Sequence, residues 1–427
     1  MKKSVLLLVT GLLSLISYGQ TGSEILEEAN WLENWTNFNP AKEEYKKADK
    51  ILLGLITDNT TLSNRHTYLL KGIVYVTNNA TLTIEPGTVI RGDYETSGTL
   101  VITKGAKIIS EGTHLNPIVF TSDKERSLKK PGDWGGIILL GDAPINTFGG
   151  VGGVDLGLQS KFSIYGGENA ESSSGILKYV RIEYSGRSMS SDKKLSGILF
   201  AGVGNKTIIE NIQVSHAGDD SFEFYGGNIK VNNLVSYKAT DDDFDFTKGT
   251  QSIINNSLAI RSPYASGNDS PRAIEIDSYD QIKNFDPSKN KTNVKANNLT
   301  LVNMQDNDQG LVKEAIYLEK DSYLNLINGN IYGFRDFIVV NDIFILEELE
   351  EFVKLKDVRI SHCKNDFSLN FDNEIHDLPV ENYNYSMHNV RVTDDKIDDF
   401  FINPKLKYTP DFRHISVMND INNIVGR

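Results

Sequence analysis

The sequence contains almost nothing that could crosslink the chain or hold it in a membrane. Its 427 residues include one cysteine, Cys363, so no disulfide can form within the chain, and no cysteine near the N-terminus is available for acylation, which excludes a lipoprotein. The histidines show no spacing typical of a metal site. The apolar run over residues 5–16 is too short to span a bilayer comfortably. Packing and backbone hydrogen bonds must therefore stabilise the fold.

The N-terminus has the pattern of a secretory signal. Lys2 and Lys3 precede the apolar run, and small residues follow it up to Gly19 and Gln20. This pattern predicts a cleaved signal peptide over residues 1–20. We therefore expect a protein that is secreted or held at the outer cell surface, with no transmembrane segment after cleavage.

Positive charge is also in short supply. The 44 Lys and Arg residues face 57 Asp and Glu residues, so the formal net charge is −13, and loss of Lys2 and Lys3 with the signal would make it −15 (−13 − 2). This balance argues against nucleic acid and anionic lipid as partners. It fits a surface that binds cations or neutral glycans better.

What the chain does have is a repeat. Residues 219–224 read DDSFEF and residues 241–246 read DDDFDF, an offset of 22 residues (241 − 219). A period in the low twenties with short alternating strands predicts a solenoid, in which each coil stacks on the previous one. The same strand recurs at residues 274–276 and 316–318, after intervals of 30 and 42 that leave room for inserted loops. Asn211, Asn233, Asn256 and Asn298 recur ahead of another strand, where their amides could form a ladder.

The predicted domain organisation follows from a change in the residue pattern along the chain. After the signal, residues 21–50 contain tryptophans and a breaker at Asn39-Pro40, and we interpret them as an N-terminal cap over the first strand edge. From Ile51 onward, short β-rich runs end at Gly, Pro or Asn, as strands joined by tight turns do. Residues 51–427 are therefore predicted to form an all-β parallel β-helix with lateral loops, including one over residues 149–175, and a closing segment at the C-terminus.

The alternation within the repeat predicts which side chains face outward. The apolar pair in each copy must point inward, because a slip of one residue would expose phenylalanine and bury carboxylates. Glu223, Asp245, Glu275 and Tyr317 should then share one outer wall. Stacked coils place equivalent residues about 4.8 Å apart. The repeat thus predicts a column of carboxylates.

Several segments are similar to a known family. They are residues 35–38 (WTNF), 72–76 (GIVYV), 80–90 (ATLTIEPGTVI), 132–137 (GDWGGI), 217–224 (AGDDSFEF) and 241–246 (DDDFDF). Together they resemble a family of secreted bacterial β-helix proteins of the pectin-lyase-like class, most of them uncharacterised. The resemblance covers roughly residues 31 to 280 and implies a right-handed parallel β-helix that is exported to the cell surface or the medium. It implies no particular reaction.

The stacked acids indicate either a bound cation or well-satisfied turns. Residues 219–245 carry seven carboxylates, and two unit charges about 5 Å apart repel by roughly 3 kcal/mol at an effective dielectric near 20. Solvent screening, a raised pKa or a bound cation such as Ca²⁺ would each relieve this repulsion. Alternatively, the aspartates accept hydrogen bonds from turn N–H groups. The predicted metal ligands are Asp219, Asp220, Glu223, Asp242 and Asp245.

The preferred functional interpretation is non-catalytic binding of a polysaccharide or cell-envelope component, with Ca²⁺ as an optional cofactor. The predicted ligand-binding residues are Tyr225, Glu275, Tyr317 and Arg272, and Tyr237, Tyr264 and Tyr279 could line the same wall. The alternative is a polysaccharide hydrolase or lyase, because Gly218-Asp219-Asp220 is similar to the Gly-Asp-Asp of polygalacturonase-type hydrolases. Arg272 could be a lyase base or a charge partner for the acids. No catalytic residue is assigned.

Overall fold

The computed structural model describes residues 31–190, 193–263, 271–279, 281–304, 312–319, 321–341, 349–371, 374–377 and 387–415, so the predicted signal peptide lies outside the described residues. In chain order, the strands are β1 (Lys50–Ile56), β2 (Thr60–Leu62), β3 (Thr67–Val76), β4 (Thr81–Ile84), β5 (Val89–Gly92), β6 (Thr99–Ile102), β7 (Lys107–Glu111), β8 (Ile118–Ser122), β9 (Gly136–Leu140), β10 (Gly152–Gly153), β11 (Ile164–Tyr165), β12 (Gly175–Glu183), β13 (Ser188–Ser190), β14 (Lys193–Lys194), β15 (Ile198–Ala201) and β16 (Ile208–Ser215).

They continue with β17 (Phe222–Tyr225), β18 (Asn228–Tyr237), β19 (Phe244–Thr247), β20 (Gln251–Arg261), β21 (Ile274–Ile276), β22 (Thr292–Asn303), β23 (Glu314–Leu318), β24 (Ser322–Tyr332), β25 (Asp336–Asn341), β26 (Val353–Ser361), β27 (Asn365–Phe371), β28 (Glu374–Asp377), β29 (Met387–His388), β30 (Arg391–Thr393), β31 (Phe401–Asn403) and β32 (Asp411–His414). The described α-helices are single turns, α1 (Leu349–Phe352) and α2 (Ile397–Phe400).

The strands stack into three parallel sheets that follow one another around each coil. Sheet 1 runs from the end of β3 through β6, β9, β15, β17, β19, β21, β23, β25 and β27. Sheet 2 contains β2, β4, β7 and the first halves of the long strands β12 to β26. Sheet 3 contains the first half of β3, then β5, β8 and the second halves of those long strands. This is the predicted right-handed parallel β-helix, in the hand that parallel crossovers adopt.

The corner between sheets 2 and 3 is a bend within one strand, made by residues with positive φ. These residues are Tyr179, Asn211, Asn233, Asn256, Asn298, Asn328 and Asp357. Asparagine enters the left-handed region at lower cost than most residues, so its recurrence at this corner has a backbone cause. Its amides also stack: Asn256 Nδ2 donates to Asn233 Oδ1 at 2.6 Å, and Asn328 Nδ2 donates to Asn298 Oδ1 at 2.9 Å. Of the predicted ladder, the step from Asn233 to Asn256 is confirmed, and Asn328 adds a further step beyond Asn298.

The interior of the β-helix is apolar, and in the repeat it is aromatic. The rings of Phe222 and Phe244 stack with centroids 5.4 Å apart, and those of Phe224 and Phe246 with centroids 4.6 Å apart. All four side chains are fully buried. Burial of this many aromatic rings, each worth about 1.5–3 kcal/mol relative to an exposed position, fixes the register of sheet 1.

The described chain separates into two compact units. The larger, residues 37–394, contains the β-helix; the smaller combines residues 31–36 with the C-terminal segment that begins at residue 395. In the smaller unit β31 pairs with β32, the Phe401 and Phe412 rings meet edge to face at 5.4 Å, and Arg413 pairs with Glu33 at 3.6 Å. The sequence predicts the C-terminal residues as a closing segment of the β-helix and does not predict that they form a unit with residues 31–36.

Residues 37–49, which we call the strap, follow the outer side of sheet 3. The Asn37 N–H donates to Gln213 Oε1 at 2.6 Å, and the Tyr45 hydroxyl donates to Glu183 Oε1 at 2.9 Å. The first strand of the β-helix, β1, pairs with β3 alone among the described strands. This part of the predicted N-terminal cap therefore covers the side of the β-helix rather than its first strand edge.

Candidate functional site

The acidic repeat forms one column on the outer face of sheet 1. Glu223 is in register with Asp245, Asp245 with Glu275, and Glu275 with Tyr317. The inward phenylalanine Phe222 is likewise in register with Phe244. The predicted intervals of 22, 30 and 42 residues and the predicted facing of this column are thus confirmed.

A second set of acids lies at the turn that leads into the same strands. Asp219 and Asp220 precede β17, and Asp241 and Asp242 precede β19 one coil later. The Asp242 N–H donates to Asp220 Oδ1 at 2.9 Å, which ties the two turns together. This bond is what we expect when aspartates satisfy turn N–H groups, so that interpretation holds for Asp220.

Carboxylate oxygens converge in two overlapping groups. One group is Asp219, Asp220 and Asp241, and the other is Asp220, Glu223 and Asp245; in each, one oxygen per residue lies within 4.8 Å of the others. Asp220 belongs to both groups. Four of the five predicted metal ligands therefore lie in these groups.

The remaining predicted ligand, Asp242, is outside both groups. Its Oδ1 accepts the Arg272 N–H at 2.6 Å, one coil further on. Asp241 takes its place in the first group, although it was not among the predicted ligands. Because both residues belong to one run of three aspartates, sequence alternation alone could not show which carboxylate turns toward Asp219.

A glycine makes the approach of the first turn possible. A Cβ on Gly218 would lie 2.6 Å from the Gly132 nitrogen and 2.6 Å from the Gly186 oxygen, both of them backbone atoms. Any other residue at position 218 would push Asp219 and Asp220 away from the neighbouring turns. The glycine of the Gly-Asp-Asp sequence is thus required for packing here, whatever the chemistry of the site.

Two lateral segments border the acidic face and explain why outward side chains are largely shielded. On one side is the loop over residues 142–172, whose Tyr165 ring lies 6.3 Å from the Tyr225 ring. On the other side is the β13–β14 hairpin, whose Lys194 reaches Asp219 and Asp241. Glu223 is only 7% exposed although it points away from the core, and it accepts a hydrogen bond from Ser196 Oγ at 2.6 Å. The acids therefore lie between these two segments, largely shielded from solvent, and we call this acidic surface between the loop and the hairpin the groove.

Burial and mutual repulsion raise the pKa values of these acids. Burial raises the pKa of Asp219 to about 7, even though Lys194 opposes the shift. Burial, reinforced by the neighbouring aspartates, holds the pKa of Asp220 well above its usual range, and the same causes with Glu275 and Asp277 act on Asp242 and Asp245. At neutral pH the group must therefore hold protons or bind a cation.

Two cationic side chains offset part of this charge. Lys194 Nζ lies 3.1 Å from Asp219 Oδ1 and 3.2 Å from Asp241 Oδ2. Arg272 pairs with Glu275, and its guanidinium lies 3.9 Å from the centre of the Tyr317 ring. The contacts of Arg272 are those of a charge partner for the acids, which was one of its two predicted roles. Lys194 lies in a lateral hairpin, and the sequence alone does not identify it as a partner of the acids.

The predicted aromatic residues divide between the faces of the β-helix. Tyr225 lies at the edge of the groove, with Lys248 Nζ 4.3 Å from its ring centre, and burial raises the pKa of its phenol. Tyr317 continues the column, is 7% exposed and accepts a hydrogen bond from Asn370 at 3.0 Å. The prediction for Tyr237 is wrong: it is in register with Ser215 and Ile260 on sheet 3, and its ring meets Phe38 at 5.2 Å. Tyr264 lies outside the described residues, and Tyr279 donates to Asp321 at 2.9 Å.

No helix in the part of the chain that the structure describes is both long enough and apolar enough to cross a membrane. No curated protein matches this chain. One solved structure that is similar is PfbA, a surface adhesin of Streptococcus pneumoniae, at 12% identity over 73% of this chain and 85% of that chain, with a TM-score of 0.24. The family model of the pectate-lyase-like β-helix domain matches residues 54–397. The chain therefore belongs to the pectate-lyase-like β-helix family.

Proposed function

We propose that this protein is exported and acts as a non-catalytic binder of a glycan or another envelope component, and that Ca²⁺ in the acidic groove of sheet 1 forms part of the binding surface. The observation that carries the proposal is the convergence of shielded carboxylates on Asp220, which belongs to both oxygen groups. Export is supported by the signal-like sequence at residues 1–20.

The charge balance within the groove supports a cation in the second oxygen group. Lys194 pairs with Asp219 and Asp241 of the first group. Among the described residues, no lysine or arginine forms an ion pair with Asp220 or Asp245. Ca²⁺ takes six to eight oxygen ligands and accepts carboxylates in one- or two-oxygen modes. Asp220, Glu223 and Asp245 would supply part of that shell, and water or a ligand hydroxyl would complete it.

The groove suits a sugar chain because it offers both acceptors and an aromatic ring. Carboxylate oxygens accept hydrogen bonds from sugar hydroxyls, and the partly exposed Tyr225 ring at its border has an apolar face and a polar tip. The residues ahead of Tyr317 are paired within the protein, Arg272 with Glu275. We therefore expect the ligand to contact the coils of β17 and β19 first and to reach Glu275, Arg272 and Tyr317 only if it extends along the column.

Thermal melts test the metal. Ca²⁺ should raise the melting temperature of the wild-type protein in chelator-treated buffer by a few degrees, because a cation that binds only the folded state stabilises it. In Asp220→Asn this response should be lost, since that substitution removes a charge from both groups. Glu210→Gln is the matched control, because Glu210 pairs with Lys178 on sheet 2 and should leave the Ca²⁺ response unchanged. A wild-type melting temperature that Ca²⁺ does not change would overturn the metal part of the proposal.

A panel of immobilised polysaccharides tests the binding part separately. Wild-type protein should retain one or more glycans in the presence of Ca²⁺, and Asp245→Asn should weaken that retention while Glu210→Gln does not. Retention that survives both chelator and Asp245→Asn would place the ligand on another surface. Absence of retention in all conditions would argue against a glycan-binding function.

One observation favours the alternative enzyme, and the same panel decides it. A general acid for glycoside cleavage must be a carboxyl group that holds its proton near neutral pH. Asp219, whose pKa burial raises to about 7, meets this requirement. If the protein is a hydrolase or lyase, reducing ends or unsaturated products should accumulate from one polysaccharide and should vanish in Asp220→Asn. A panel with no products, tested with and without Ca²⁺, would leave the binder as the function.

A further inference from the structure

A second concave site lies on a different face, under the strap. The strap is held along sheet 3 by Tyr45, whose hydroxyl donates to Glu183, and by the ring of Phe38 against Tyr237. Between the strap and the turn over residues 123–129 is a cavity of about 690 Å³. Its lining includes Lys47, Arg91, Arg126 and Lys129 together with the Tyr45 ring.

Arg91 gives this cavity a buried positive charge that no carboxylate among the described residues contacts at ion-pair distance, although Asp123 attracts it from further away. It is 8% exposed, and its guanidinium donates to four backbone carbonyls: Tyr45 and Lys46 on the strap at 3.3 and 3.1 Å, and Asp123 and Lys124 on the turn at 2.7 and 3.0 Å. The carbonyl groups satisfy the N–H donors of the guanidinium, but because they are neutral they do not cancel its positive charge. Burial accordingly lowers the pKa of Arg91. A buried cation without a counter-ion is costly, so this arrangement points to an anion from outside.

Lys129 provides a donor that can reach such an anion. Its Nζ donates to Thr121 Oγ1 at 2.8 Å and lies 4.8 Å from the centre of the Tyr45 ring. An ammonium group has three donors, and this bond uses one of them. In the described part of the chain Lys129 has no ion pair, and burial lowers its pKa.

The acids around the cavity offset only part of this positive charge. Glu43, Glu44 and Glu125 are exposed, so water screens them. Asp123 accepts the Tyr94 N–H at 2.9 Å, and burial raises its pKa. Lys124, by contrast, is already paired with Asp133 at 2.8 Å. Asp123 attracts Arg91, and Glu183 attracts Lys129 while it is also paired with Arg181 at 3.7 Å. Three cationic side chains, Arg91, Lys129 and Arg181, thus share two carboxylates, and positive charge remains in excess beside the cavity.

We propose that the cavity under the strap binds an oxyanion, meaning a carboxylate, sulfate or phosphate group, through Lys129 with Arg91 supplying the field behind it. In a chain with a formal net charge of −13, an anion is repelled by most of the surface, so a concave cationic site is selective. The site is on sheet 3 and involves none of the acids of the sheet 1 groove. Its occupancy does not depend on Ca²⁺ or on the proposed function.

Isothermal titration of the full chain with sodium sulfate, against sodium chloride at matched ionic strength, is the direct test. Sulfate should bind saturably to wild-type protein and chloride should not. Lys129→Gln should weaken sulfate binding about tenfold or more, since a charge-assisted hydrogen bond to the anion is lost. Lys129→Arg should largely restore it, and Lys130→Gln, the exposed neighbour outside the lining, should bind like wild type.

Further arms keep the result decisive. Sodium phosphate and glucuronic acid, titrated in parallel, separate an inorganic oxyanion from a sugar acid by which of them binds more tightly. If Lys129→Gln fails to fold, Arg126→Gln, an exposed lining residue, should still weaken sulfate binding. Selenate in crystals should give its anomalous peak beside Lys129. No saturable sulfate binding, equal binding by Lys129→Gln, or a peak elsewhere would overturn the proposal.

Discussion

Between β3 and β21, the outer face of sheet 1 has two halves whose chemistry is opposite; beyond β21 the column continues with Tyr317 and Val339. In the N-terminal half the outward column consists of Tyr75, Val101, Ile138 and Leu199, in register from coil to coil. These residues form a hydrophobic cluster of their own with lateral-loop residues such as Val154 and Tyr165. In the C-terminal half the same column continues as Glu223, Asp245 and Glu275. Leu199 and Glu223 are direct neighbours, so the change takes place between two adjacent strands.

The inner face shows no such change. Ile137, Ile198, Phe222, Phe244 and Ile274 follow one another on the inward side, and all are fully buried. Stacking thus fixes the inside of every coil, whereas the outside depends on what covers it. Where the loop packs on the sheet the column is apolar, and where the loop leaves a groove the column is acidic. The contrast between the two halves indicates that folding requires apolar side chains where the loop covers the column but not where the column lies in the groove.

The largest effect should come from extending the acids by one coil. Leu199 is 1% exposed beneath the lateral loop, so Leu199→Glu would place a carboxyl group among apolar side chains and remove their contacts with leucine. We expect a loss of about 3–5 kcal/mol in the free energy of unfolding, from the lost packing and the unsatisfied polar group. Urea denaturation followed by circular dichroism measures it.

Two further variants show whether the boundary is real. Leu199→Met conserves volume and should cost less than about 1.5 kcal/mol. Asp245→Leu makes the opposite change in the acidic half and, in the absence of Ca²⁺, should be neutral or stabilising, because it removes a repelled carboxylate. If Leu199→Glu were as stable as Leu199→Met, the two halves would not differ in the way their burial indicates.

The acidic half should also make stability depend on pH. The pKa of Asp219 is raised from 3.8 to about 7, and burial also holds the pKa values of Asp220, Asp242 and Asp245 well above the usual range. The folded protein therefore keeps protons that the unfolded chain releases above about pH 4. Without Ca²⁺, stability should fall as the pH rises from about 4 through about 7, by about 4 kcal/mol from Asp219 alone, since one pKa unit corresponds to about 1.4 kcal/mol.

Urea denaturation in chelator-treated buffers between pH 5 and pH 8 measures this slope. Asp220→Asn should flatten it, because the substitution removes one titrating group and relieves its neighbours. Asp286→Asn is a suitable control: Asp286 is not part of the groove, and hydrogen bonds from Ser288 lower its pKa. Stability that instead increases with pH over this range would mean that the groove acids are ionised and already neutralised in the folded protein.

The sequence predicts the inner and outer faces well because both follow from a local rule. Alternation places Phe222 inward and Glu223 outward, and like residues stack, so the register of Glu223, Asp245 and Glu275 follows without knowledge of any loop. Loop placement has no such period. Lys194 reaches Asp219 from 25 positions away along the chain, and nothing in its neighbourhood indicates that contact.

The same limit explains two positions that the repeat does not predict. Tyr237 resembles the groove tyrosines in composition, but it ends the second half of a long strand and so lies on sheet 3. The sequence predicts a cap over the first strand edge for residues 21–50, yet the polar contacts of the strap include Gln213, Glu183 and Arg91 along the side of the β-helix. Each of these contacts joins residues far apart in the chain, where repeat spacing gives no information.

The smallest effect, and the one that sharpens the comparison most, concerns Lys194. This lysine is the protein's own cation in the first oxygen group, and its two aspartate partners hold the pKa of its ammonium above the usual range despite burial. Lys194→Met should cost about 1 kcal/mol without Ca²⁺, as an ion pair near the surface is lost. It should also tighten Ca²⁺ binding about tenfold, because a positive charge beside the second oxygen group is removed and Asp219 and Asp241 become available as further ligands through the shared Asp220. Calorimetric titration with Ca²⁺ measures the change.

The adjacent lysine provides the control for that measurement. Lys193 belongs to the same hairpin and pairs with Asp155, and both side chains are well exposed, so Lys193→Met should leave stability and Ca²⁺ affinity unchanged. If Lys194→Met behaved like Lys193→Met, then Ca²⁺ would bind only where Lys194 has no contact, at Asp220, Glu223 and Asp245. If it weakened Ca²⁺ binding, the hairpin would act by shaping the groove rather than by occupying it. Only tighter Ca²⁺ binding by Lys194→Met would show that the acidic half is a cation site that the Lys194 ammonium group partly occupies.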